Sequence, residues 1–208
     1  MVKVAGPAMS LEASGSLAGV MVFSRWKGRP YVRALVRPSN PKSGGQVGVR
    51  SLFKFISQNW AAITSGNKAT WETRADQGVI STFNAYMGYN QSRWRDFQAP
   101  SQHDPAATTD TAAATGVITA VAGIRSATLT IPVTTANDGW GVAVFRSTST
   151  GFDSAFDNLI GIGLISGTDD VVVVDTPLEA ATYYYQFREF TEDGQLGAEL
   201  GEEEVVIA

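Results

Sequence analysis

The sequence predicts an α+β N-terminal part, a β-ribbon plus three short helices, followed by an all-β sandwich. Three observations predict this. Apolar residues recur at helical spacing from about residue 49 to about residue 97, and beyond Gly116 they fall into short alternating runs. The charge changes sign along the same line. Residues 1–100 hold 13 Lys and Arg against Glu12, Glu72, Asp76 and Asp96, a net +9; residues 101–208 hold Arg125, Arg146 and Arg188 against 16 acids, a net −13. Between the two lies "APSQHDPAATTDTAAATG", residues 99–116, rich in Ala, Thr, Pro and Asp and without apolar period. The expected organisation is a basic ribbon-plus-helices domain over 1–98, a linker over 99–116 and an acidic sandwich over 117–208.

The ribbon is "GVMVFSRWKGRPYVRALV". Gly28 supplies a permissive turn position, and Pro30 sits where the chain leaves the turn. Alternation assigns Val20, Val22 and Trp26 of the first arm, with Val32, Ala34 and Val36 of the second, to one almost wholly apolar face. Met21, Phe23, Tyr31 and Leu35 mix with Arg25, Arg33 and Arg37 on the other. A two-stranded ribbon is marginal alone in water, so both faces want cover.

Pro38 and Pro41 then stop the strand. Ser43 with Gln46 forms a capping-box pattern, and Val49, Leu52, Phe53, Ile56, Trp60 and Ile63 make one amphipathic stripe. A second helix follows a Thr/Ser cap in "TSGNKATWETRADQ", with Trp71 and Ala75 facing in. The third, "STFNAYMGYNQSRWRDF", carries Phe83, Met87, Trp94 and Phe97 on one face. These stripes read as core, not as a cofactor box.

Seven strand candidates follow: "GVITAVAG", "SATLTIPV", "WGVAVFRST", "LIGIGLI", "DDVVVVDTPL", "TYYYQFREF" and "EEEVVIA". Turn signals separate them, as in a β-sandwich. The stretch "DTPLEAATYYYQFREFTEDGQLG" resembles the fibronectin type III domains, immunoglobulin-like sandwiches, at Asp175, Leu178, Thr182 and Tyr183. The usual Pro-Gly before the Thr is replaced by Ala180-Ala181. The resemblance covers about 92 residues. It implies that Tyr183 is the corner tyrosine, that Tyr183, Tyr185 and Phe187 point inward, and that Trp140 is a core aromatic. It implies little about function.

No catalytic constellation is visible. The chain has no cysteine, which excludes disulfides and thiol nucleophiles. His103 is the single histidine and falls in the expected linker, so a His-based triad or multi-His metal site cannot form within one chain. Asp169-Asp170 and Glu202-Glu203-Glu204 lack the alternating spacing of a calcium loop and read as solvated acids. "GIGLISG" lacks the Lys-Ser/Thr of a phosphate loop and opens no helix. No apolar run is long enough to cross a bilayer, the N-terminus does not read as a signal peptide, and "NQS" at Asn90 reads as a chance glycosylation match. The expectation is no enzyme, no cofactor, no metal and no membrane. A carboxylate-based hydrolase is the competing class.

What remains is the basic arm. Arginine with aromatics is the composition of a contact surface, and Trp26, Lys27, Arg29, Tyr31, Arg33 and Arg37 are the candidate docking residues. The pattern W-K-G-R-x-Y-V-R (Trp26 to Arg33), P-S-N-P (Pro38 to Pro41), Q-x-x-x-R-x-x-F (Gln46, Arg50, Phe53), Trp60, Trp71 and Phe83-Asn84 resembles a group of bacteriophage and prophage virion structural proteins over residues 14–92. That resemblance implies a virion protein assembled in the bacterial cytoplasm. Its partners would be other virion proteins, present in many copies in a symmetric assembly, with homo-oligomers compatible. The site would be capsid surface, neck or tail. The alternative is nucleic-acid binding through the +9 half, which fits the composition but lacks any recognised motif and meets a repelling −13 half.

Overall fold

The computed structural model describes residues 2–3, 15–17, 19–37, 44–107, 117–133, 139–167 and 169–208. The chain divides into two compact units, Met1–Pro41 and Lys42–Ala208. In the first, strands β1 (Val2–Lys3), β2 (Gly15–Leu17), β3 (Met21–Trp26) and β4 (Arg29–Ala34) form an antiparallel sheet in the order β1-β4-β3-β2. The β3–β4 turn is the two-residue Lys27-Gly28, both at positive φ (48° and 76°), the turn whose twist matches a hairpin.

That turn corrects the expected faces. It pairs Trp26 with Arg29, Ser24 with Tyr31 and Val22 with Arg33, while Phe23 meets Val32 and Met21 meets Ala34. Directly opposed residues share a face, so even positions on one arm lie beside odd positions on the other. The expected assignment slipped by one residue, and such a slip moves every side chain of one arm to the opposite face. The apolar face is Met21, Phe23, Val32 and Ala34, with Arg25 opposite Pro30 at its end; the second face holds Val22, Ser24, Trp26, Arg29, Tyr31 and Arg33.

The second unit begins with helix α1 (Gly44–Asn59) and a 3-10 turn over Trp60–Ala62. The expected Ser43 cap lies outside the described residues. The buried stripe of α1 is Gly48, Leu52, Phe55 and Ile56; Phe53, expected in the stripe, is half-exposed at 50%. The correction has a packing cause. Gly48 lies flush against Phe156, which turns α1 so that position 55, not 53, meets the sheet. The second expected helix is two: α2 (Ser65–Thr70) and α3 (Glu72–Gly78), broken at the fully buried Trp71. Thr64 Oγ1 accepts from Asn67 N–H, and Ser81 Oγ accepts from Asn84 N–H to start α4 (Thr82–Arg95). Trp71, Ala75, Met87 and Trp94 are buried as expected, joined by Tyr86 and Asn90.

All seven expected strands are present: β5 (Thr119–Gly123), β6 (Ser126–Ile131), β7 (Gly139–Ser147), β8 (Leu159–Leu164), β9 (Val171–Asp175), β10 (Ala181–Thr191) and β11 (Leu200–Ile207). They make a β-sandwich of two antiparallel sheets, β11-β10-β7-β8 and β5-β6-β9. Between the sheets lie Leu129, Ile131, Val142, Val144, Tyr185, Phe187, Val205 and Ile207. The Tyr183 hydroxyl donates to the Glu179 carbonyl at 3.1 Å, pinning the corner before β10. "GIGLISG" is strand β8 and the turn after it; a Cβ on Gly163 would lie 2.1 Å from Val171 Cγ1, so glycine there lets the two sheets close at this edge.

The four-stranded sheet is covered on its other face too. Leu52, Phe55, Ile56, Trp71, Tyr86 and Trp94 pack with Trp140, Phe145, Leu159 and Phe190 in one core. Strand β7 is accordingly buried at six consecutive positions, as for a strand covered on both faces. Trp140 therefore belongs to the helix layer and not to the sandwich interior: its ring meets Phe55 at 4.9 Å and Phe190 at 6.0 Å.

This packing also overturns the expected boundary at residue 98. Helices and sandwich are one unit, and Ala99, Ser101, Gln102 and Ala106 are buried. Trp71 Nε1 donates to Gln102 O at 2.9 Å, Arg93 Nε to Ala99 O at 2.7 Å and Arg93 Nη2 to Gly194 O at 2.9 Å. Gln102 N–H donates to Glu192 O and Ala107 N–H to Asp193 O, both at 2.8 Å. Residues 99–107 are thus a clasp between the helix layer and the β10–β11 turn. The rest of the expected linker, 108–116, lies outside the described residues.

Candidate docking surface

Four of the six candidate residues come together. Trp26, Arg29, Tyr31 and Arg33 share one face of the N-terminal sheet because 26 pairs with 29 and β4 alternates from there. Lys27 occupies the turn, with Nζ 5.0 Å from the Trp26 ring centroid, a cation–π distance. Arg37 follows the strand and is exposed, outside this ladder. Arg25, part of the same basic run, is on the opposite, apolar face.

Trp26 is 66% exposed, and none of residues 15–16 and 19–37 is buried. Solvent reaches both faces, although one carries Met21, Phe23 and Val32 and the other an indole, a phenol and two guanidiniums. Guanidiniums at alternate strand positions about 13 Å apart, four residues at about 3.3 Å each, flank Tyr31. Such an arrangement can accept carboxylates at its two ends and an apolar contact at its centre. Val22 and Ser24 share the face, with Ser16 of β2 opposite Val22; sequence reasoning did not join them to Tyr31 and Arg33 because it placed the two arms in the wrong phase.

Several other charged side chains make local bonds. His103 Nε2 lies 2.8 Å from Asp193 Oδ1, and Arg74 makes two hydrogen bonds to Asp104 at 2.8 and 2.9 Å, so both pairs tie the clasp. Glu202 accepts from the Thr150 hydroxyl and the Gly151 N–H, which hold its carboxyl below the usual range. Arg146 Nη1 and the Tyr185 hydroxyl both donate to Asp175 Oδ2, at 2.7 and 3.1 Å, joining the two sheets. Among the described residues no group of three His, Cys, Asp or Glu side chains is placed to hold a metal. No helix among them is long and apolar enough to cross a membrane. Asn90 of the "NQS" match is fully buried on α4.

No family model and no curated protein matches this chain. Among solved structures, it is similar to the PKD domain of an M14-like peptidase from Thermoplasmatales archaeon SCGC AB-540-F20. The identity is 18% and the TM-score 0.30, over 44% of this chain and 94% of that one.

Proposed function

We propose that this chain is a non-enzymatic bacteriophage virion structural protein. It docks on the particle, at capsid surface, neck or tail, through its basic N-terminal sheet and projects the acidic helix-covered sandwich outward. The observation that carries this reading is the gathering of Trp26, Arg29, Tyr31 and Arg33 on one side of a sheet in which none of residues 15–16 and 19–37 is buried. A sheet of this size gains little stability from its own contacts, and a partner surface supplies the missing burial. The charge division supports it: residues 1–41 carry a net +5 and residues 42–208 a net −9. The docking partner is then an acidic virion subunit.

The sandwich is read as fibronectin type III-like, a spacer or presentation module. Its strand arrangement and the Tyr183–Glu179 corner bond support that. Imaging of particles carrying a label at the C-terminus tests the proposal: a regular set of outward densities is expected, and unlabelled particles would end it. Assay of the purified protein against cell-wall and surface polysaccharides tests the non-enzymatic part, where saturable hydrolysis lost with one Asp or Glu substitution would refute it.

A further inference from the structure

The helix layer covers its side of the four-stranded sheet only in part. Phe145 and Phe190 lie under it. Toward the other end of the same side, Tyr184 opposes both Ser147 and Glu204, and Thr182 opposes Val206. Opposed residues share a face, and strand alternation adds Glu202 to it. Val206 is 60% exposed, and both glutamates are exposed. Among the described residues no Lys or Arg pairs with either carboxylate. The donors that hold Glu202 are neutral: the Thr150 hydroxyl, the Gly151 N–H and the Gln186 amide. Gln186 is 6% exposed and its Oε1 has no hydrogen-bond partner, so this corner of the sheet is short of a donor. The N-terminal sheet has the reverse. Arg29 and Arg33 are exposed on the face of Trp26 and Tyr31, and no described acid pairs with them.

We infer that the basic face of one copy docks on the acidic β10–β11 face of a second copy. This rests on the docking reading above and names its acidic partner as the next copy of the same chain. Charge complementarity selects that occupant. Each face carries charge that its own unit leaves unpaired, the signs are opposite, and one contact compensates both. Guanidiniums take carboxylates in two-pronged pairs. Trp26 and Tyr31 meet Tyr184 and Val206 as the apolar part of the contact. Two like faces repel, basic on basic and acidic on acidic. Every copy that brings the basic face brings the acidic one at equal concentration. A contact between unlike faces is heterologous, so a docked pair keeps one free face of each kind and goes on to form rings or chains of copies. An interface of this small, charge-steered kind is weak between free molecules and sensitive to salt.

Sedimentation velocity of the full chain, at about 0.02 M and about 0.5 M NaCl, tests it. At low salt the wild type should associate beyond a dimer as concentration rises, and high salt should weaken the association roughly tenfold or more. Arg29→Glu with Arg33→Glu should be monomeric, and so should Glu204→Arg with Val206→Arg, with the helix–sandwich unit melting as in the wild type. A one-to-one mixture of these two variants is the decisive sample. It holds one intact basic face and one intact acidic face, so it should form a dimer that grows no further. A monomeric wild type at low salt would overturn the inference, as would association that salt leaves unchanged, association that survives in either variant, or a mixture that stays monomeric. Incorporation into particles is scored alongside. A monomeric wild type whose arginine variant is lost from particles would overturn this inference and keep the docking reading. Self-association of the wild type with normal incorporation of the arginine variant would support this inference and remove the docking reading.

Discussion

Asn90 and Ser101 hold each other by two hydrogen bonds: the Asn90 amide donates to Ser101 O at 2.9 Å, and Ser101 N–H donates to Asn90 Oδ1 at 2.7 Å. Both residues are fully buried. One side chain on α4 thus satisfies both backbone groups of a residue in an irregular segment, where no ladder is on hand to do so. Asn90→Ala would leave a buried donor and a buried acceptor unpaired, each worth about 1–3 kcal/mol. Denaturant unfolding should show a loss of about 2–5 kcal/mol, and a loss under about 1 kcal/mol would mean that water replaces the amide.

The clasp also fixes the folding unit. Residues 99–107 should resist limited proteolysis as long as the unit stays folded, since their backbone is bonded to Glu192 and Asp193. A fragment of residues 42–208 should unfold cooperatively. A fragment of residues 117–208 loses the helix layer and exposes Trp140, Phe145, Leu159 and Phe190. It should bind a hydrophobic dye and aggregate, and circular dichroism with light scattering decides. A soluble, cooperatively melting 117–208 would show that the helix layer is accessory.

The strands were legible because alternation and turn residues are local. The Tyr183 corner was legible only through the resemblance of the surrounding stretch to fibronectin type III domains. The interface between α1 and the sheet was not, because Phe53 and Phe55 are equally apolar. Choosing between them needs Gly48 seated on Phe156, a contact between residues 108 positions apart. The clasp read as a linker because Ala, Ser, Gln and Asp look like loop composition. What distinguishes it is hydrogen bonding to residues about 90 positions away, which composition does not encode. The candidate docking residues stand out in the sequence by composition alone; that four of them share a face was not legible, because it depends on the pairing of 26 with 29.

Glu189 gives a pH dependence. It lies on the sandwich side of β10, opposite Val142, is 6% exposed, and its Oε1 has no hydrogen-bond partner. Burial raises its carboxyl above the ordinary value. The folded chain therefore holds this proton to higher pH than the unfolded chain does. Stability from this group is fully present below the usual glutamate range and is lost as pH rises through the raised value. Glu189→Gln should be more stable than wild type at pH 7 to 8, with the difference vanishing toward pH 4. Thermal melts of both proteins across that range check it, and a difference that grows on acidification would contradict it.

Gly163 faces Val171 with no room for a methyl group. Gly163→Ala should cost about 1–3 kcal/mol by overpacking. Adding Val171→Ala removes the obstructing Cγ1, so a double-mutant cycle should show favourable coupling between the two changes. Additive losses would mean that the sheets part here without resistance.

The arm is tested by comparing its two faces. Trp26 and Arg33 lie on the proposed docking face, and Arg25 lies on the other although it is a neighbour in sequence. Trp26 is 66% exposed, so its removal leaves the sheet intact and reads on binding alone. A buried aromatic or arginine anchor contributes about 2 kcal/mol or more, roughly thirtyfold in affinity. Trp26→Ala with Arg33→Ala should abolish incorporation into particles, while Arg25→Ala should incorporate normally and the helix–sandwich unit should melt unchanged in both. Nucleic-acid binding makes a different forecast: an affinity for DNA that falls steeply with salt and drops with each arginine removed, Arg25 included. Equal loss for Arg25→Ala and Arg33→Ala would show that charge alone matters, and would remove the register as the basis of the docking site.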